Sequence, residues 1–162
     1  MMKRLLIGLL AGGLAWAAPP EEDVFKVVEA AGLPREIVTL RNPASFPELA
    51  VIGVENQLKA IYLEGAYTSP NQATGTIVGR LDNQLAVDWV TQVLLAFETP
   101  LLTSPTEFTG KTDWQEPLAE GDGAKGFKVK LWVREKNGEL ALRQYHLTGK
   151  GARVSVLRRL KG

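Results

Sequence analysis

Apolar side chains recur along this chain with two distinct periods, and the change of period divides it into elements. After Pro19-Pro20 and the acidic run Glu21, Glu22, Asp23 come Val24, Val27, Val28 and Ala31. The spacing i, i+3, i+4, i+7 predicts an amphipathic helix over 20–31. Its acidic first turn suits the positive end of the helix dipole, Glu22 and Lys26 stand as an i, i+4 pair, and Gly32 followed by Pro34 supplies the stop.

From Glu36 to Arg80 the pattern shortens to β-branched runs at 37–40, 49–54, 58–63 and 74–78, separated by turn residues. These are expected to be strands. Over 44–64 a helix stays open, because Ser45 and Glu48 match a capping box and Val54, Leu58, Ile61 and Tyr62 are helically spaced; Val51, Ile52 and Val54 around Gly53 favour strand. Ala86, Trp89, Val90, Val93, Leu94 and Phe97 then predict one long helix, about 83–99, ended by Pro100. Its polar stripe is narrow, so it should be buried around most of its circumference.

Residues 103–124 hold Pro105, Gly110, Pro117, Gly121 and Gly123 and little periodicity, which predicts a long irregular loop. Phe108 and Trp114 within it are either a hook for a partner or a cover folded back over a sheet edge.

Beyond the loop, Phe127 to Lys136 alternates strictly, and Asn137-Gly138 is a strong hairpin signal. A two-residue turn there pairs Lys130 with Tyr145 and Trp132 with Arg143. A three-residue turn at Gly149-Lys150-Gly151 then brings Val154 and Val156 beside Val129 and Leu131. One face of this meander is apolar and is expected to hold His146. The other carries Lys128, Lys130, Trp132, Arg134, Arg143, Tyr145, Arg153 and Arg159. The fold expected is α+β: an antiparallel sheet with a C-terminal three-stranded meander, the 83–99 helix packed on it, and a short N-terminal helix.

The N-terminus follows a different rule. Lys3-Arg4, an apolar run from Leu5 to Trp16 and small residues at Ala15 and Ala17 make a three-part export signal, expected to be cleaved after Ala17. The apolar run is shorter than the ~20 residues that span a bilayer. This places the protein outside the cytoplasm, periplasmic or secreted, as a single domain over 18–162. The chain has no Cys, so the exported domain has no disulfide and must rely on its core.

Charge looks uninformative at first, with 19 Lys plus Arg against 18 Asp plus Glu. The balance is an average of unlike parts. Residues 18–124 carry six cations and 16 anions, whereas 125–162 carry 11 cations and two anions. Such a basic block with aromatic inserts suits stacking on rings by Trp132 and Tyr145 and neutralising of anions by Lys128, Lys130, Arg134, Arg143 and Arg153. The partner classes are an anionic polymer, nucleic acid or envelope polymer, or an acidic protein. The alternatives are a plain solvated sheet face with cross-strand cation–π pairs, or a basic face neutralised by the acidic part of the same chain.

Recognisable catalytic patterns are missing. The chain has one His and no nucleophile elbow, phosphate-cradling loop or metal loop, so no catalytic residue, metal or cofactor is assigned. The function expected is an exported, non-enzymatic binding or adaptor domain. Two others stay open: a structural component of an envelope assembly, and a small hydrolase built on two distant carboxylates such as Asp88 with Asp113 or Glu116.

Overall fold

In the computed structural model, which describes residues 18–98 and 114–160, the strands form two four-stranded antiparallel sheets. The expected export signal, and Phe108 with residues 103–113 of its loop, lie outside the described residues.

Helix α1 runs from Glu21 to Ala30 and buries Val24 and Val28. The first sheet follows as a meander of β1 (Val38–Arg41), β2 (Ala50–Val54), β3 (Gln57–Leu63) and β4 (Ala66–Thr68). Between β2 and β3 the chain turns on Glu55 and Asn56, at φ 54° and 63°, and between β3 and β4 on Glu64 and Gly65, at 51° and 82°. Two successive left-handed residues make the turn whose twist matches the flanking strands. They also break any continuous helix across 44–64. One face of the sheet, with Ala50, Ile52 and Ala60, packs on α1; Leu49, Val51, Ile61 and Leu63 face the main core.

Thr74–Val78, expected to be a strand, lies mainly in helix α2, Pro70–Ile77. Local chemistry at its start outweighs β propensity: Ser69 accepts from the Gln72 amide at 3.1 Å and Pro70 occupies the first helical position. The long helix is also corrected. Helix α3 covers Asn83–Asp88, capped by the Asp82 carboxylate, and continues as a π-helical turn over Trp89–Leu94. The wider turn is seen in the bond from the Leu95 amide to the Val90 carbonyl, 2.9 Å, after which the chain leaves the helix. Trp89, Val90 and Val93 are fully buried, in keeping with the narrow polar stripe.

The second sheet contains β5 (Leu118–Asp122), β6 (Gly126–Arg134), β7 (Leu140–Thr148) and β8 (Gly151–Leu160), in that order. Strand β5 lies inside the segment expected to be irregular; only Ala119 in it is buried, so it has little apolar signal of its own. Helix α2 packs on β3 and on β7 and β8, while α3 packs on β5 and β6. The helices thus form a layer shared by both sheets. Trp89 at its centre meets Phe46 edge to face, with centroids 5.2 Å apart, and donates its indole N–H to Thr74 Oγ1 at 2.9 Å.

Candidate functional site

The register of the β6–β7 hairpin decides which side chains share a surface. Arg134 pairs with Leu140, and the Glu135 amide donates to the Glu139 carbonyl at 2.8 Å. The loop is therefore the three residues Lys136, Asn137 and Gly138. Only Gly138 has positive φ, 90°, and the Asn137 side chain accepts from the Glu139 amide at 2.9 Å instead of placing its own backbone in the left-handed region. This is the three-residue turn with a glycine bulge rather than the two-residue turn.

One extra loop residue turns every β7 side chain to the other face relative to β6. Trp132 stands opposite Leu142, not Arg143, and Val129 opposite Tyr145. The β7–β8 turn is shorter by one than expected, with Thr148 paired to Gly151, so the two slips cancel at β8. Val154 and Val156 accordingly share the face of Val129 and Leu131, and Arg153 shares that of Lys128. His146 moves from the apolar face to the outer one, beside Arg153.

The expected cationic and aromatic face is divided in consequence. Lys128, Lys130, Trp132, Arg134 and Arg153 lie on the outer face; Arg143 and Tyr145 lie on the inner one. Arg159 joins the inner side because β8 bulges opposite Leu142 and Arg143. Neither aromatic is open for stacking, Trp132 being 2% exposed and Tyr145 6%. Trp132 sits in a small apolar cluster with Leu140, Leu142 and Leu160, and Trp114 packs against it, as a cover folded back on the sheet would. Arg134 donates to the Gly138 carbonyl at 2.8 Å.

On the inner side Arg143 has three side-chain partners. It reaches Glu98 at 3.1 Å, Glu135 at 3.5 Å and the Tyr145 hydroxyl at 2.9 Å. Arg159 adds a second contact to Glu135 at 3.1 Å. Burial pushes the Tyr145 hydroxyl above its ordinary value, and the hydrogen bond from Arg159 holds Glu135 below the usual carboxylate range. Arg143, Glu98 and Glu135 line part of a cleft of about 630 Å³ between the tips of the β2–β3 and β6–β7 hairpins, with Leu58 and Phe97 among its walls. It gathers three carboxylates, Glu55, Glu98 and Glu135, of which Glu135 is held as an anion by Arg159 and Arg143. The carboxylates suggested by sequence do not assemble: Asp88 accepts from Ser45 at 2.8 Å and Gln84 at 3.0 Å, and Asp113 is outside the described residues. Among the described residues no group of three His, Asp or Glu can hold a metal, and no helix is long and apolar enough to cross a membrane.

What remains open is the outer face at the β7–β8 turn. Lys128, Lys150 and Arg153 are exposed, with Lys130 and His146 half-buried among them. His146, Thr148, Gly149, Lys150 and Arg153 border a shallow depression of about 460 Å³. Glu120 on β5 lies opposite Lys128, and Asp122 follows two residues along the same strand, opposite Gly126. The sequence pattern places Lys150 only as a turn residue, because which face it joins depends on the register. Between described residues, the Glu98–Arg143 pair is the one ion pair linking the acidic and basic blocks; the others lie within a block. Compared with protein-family models, curated proteins and solved structures, the chain matches none.

Proposed function

We propose that the protein is an exported, non-enzymatic binding or adaptor domain that holds an anionic partner on the outer face of its C-terminal sheet. The observation that supports this is the segregation of cations on that sheet. Arg143 and Arg159 are neutralised inside the molecule, whereas Lys128, Lys130, Lys150 and Arg153 are gathered on one side of the sheet, with Glu120 opposite Lys128 and Asp122 two residues further along β5. Such a patch attracts anions through its summed field and needs no chemistry at a single residue. Stacking plays no part, since Trp132 and Tyr145 are buried.

The test is retention on heparin as a function of salt. Lys128→Glu with Arg153→Glu should elute the protein earlier and flatten the salt dependence of binding by about one unit of slope per cation removed. Arg143→Leu, on the opposite face, should elute with the wild type. Equal retention of the double variant overturns the proposal.

A further inference from the structure

Strand β8 ends the second sheet, and among the described residues no strand lies beside it. It is ten residues long, and Arg153 to Arg159 are all exposed. Such an edge is a template for another strand unless it is blunted. Here the regular, unblunted edge is short, from Ala152 to Val156. At its start the Ala152 amide is taken by the Asn71 side chain at 3.0 Å, and after Val156 the strand bulges at Leu157, opposite Leu142 and Arg143, before pairing resumes to Leu160.

The bond to Asn71 also fixes the phase of the edge. Since Ala152 directs its N–H away from β7, the period of two directs those of Val154 and Val156 the same way. The side chains alternate with equal regularity. Val154 and Val156, 56% and 37% exposed, form an apolar shelf on the inner side next to Tyr145; Arg153 and Ser155 lie on the outer side with Lys128 and His146.

We propose that β8 receives an extended segment of an acidic partner protein, added as a fifth strand, whose apolar side chains lie on the Val154–Val156 shelf and whose carboxylates alternate onto the cationic side with Arg153. This names the partner class for the function proposed above and rests on it. A second copy of this chain is disfavoured as occupant, because residues 150–162 contain five cations and no anion, and pairing two such strands sets like charges side by side.

The probe is a short capped peptide alternating Glu and Val, compared with a peptide of the same composition in which the Glu and Val residues are grouped in two blocks. The alternating peptide should bind at least about tenfold more tightly, and it should protect the Val154 and Val156 amides from hydrogen exchange. Val154→Pro, which removes an outward N–H and no ladder bond, should lose that preference and keep wild-type retention on heparin. If Val154→Pro does not fold, Val154→Lys makes the same test by blunting the edge. Equal binding of the two peptides, or binding without protection of those amides, overturns strand addition; so does sedimentation as a dimer that Val154→Lys converts to monomer. Loss of heparin retention in Lys128→Glu with Arg153→Glu, alongside equal peptide binding, would leave the anion surface standing and remove the strand.

Discussion

Arg143 on β7 lies 3.1 Å from Glu98, which follows the helical layer, although 45 residues separate them. The pair joins the end of that layer to the second sheet, and the guanidinium is only 16% exposed. Arg143→Leu leaves Glu98 and the buried Tyr145 hydroxyl without this partner. A loss of about 1–3 kcal/mol is expected in denaturant unfolding, with Arg143→Lys recovering part of it.

Glu135 gives a pH signature. Its folded-state value is depressed, chiefly by the bond from Arg159. Its contribution is therefore fully present above the unfolded carboxylate value, ~4.3, and is lost as pH falls through the lower folded value. Glu135→Gln should be less stable than wild type at neutral pH, and the gap should begin to narrow in thermal melts as pH falls below the unfolded carboxylate value of ~4.3.

Trp89 and Thr74 form a buried hydrogen bond between the two long helical segments. Thr74→Val keeps the shape and removes the acceptor, so a cost of about 1–3 kcal/mol is expected by chemical denaturation.

Gly138 is the positive-φ residue of the β6–β7 loop. Gly138→Ala should cost about 1–2 kcal/mol, and cross-strand Hα contacts in NMR spectra should match Trp132 with Leu142. Contacts matching Trp132 with Arg143 would contradict the register.

Gly75 on α2 faces the Gly149 carbonyl so closely that an added methyl would press on backbone. Alanine is the better helix former by about 1 kcal/mol, yet Gly75→Ala should lower the melting temperature because neither backbone can yield cheaply.

Elements whose burial repeats regularly were legible in the sequence: α1, β1 to β3, and the alternation of β6. Others were hidden by local chemistry. Thr74 to Val78 reads as β-branched, and only the Ser69 cap with Pro70 turns it into helix. The binding face failed at one point, since Asn137-Gly138 suits two turn lengths and β7 offers apolar residues on both of its faces, Leu140 and Leu142 on one and Ala141, Tyr145 and Leu147 on the other. No periodicity in β7 alone could select between them. Lys128, Lys130 and Arg153 kept their common face because Arg153 is separated from β6 by two opposite slips.

Both sheets are built from neighbours in sequence, so their hairpins can close quickly, yet the shared helical layer gives neither sheet a complete interior. Residues such as Trp89, Val90 and Val93 take their surroundings from both. The two meanders should therefore melt together in one calorimetric transition, and an isolated half of the chain should expose the helix surface on which the other half normally rests.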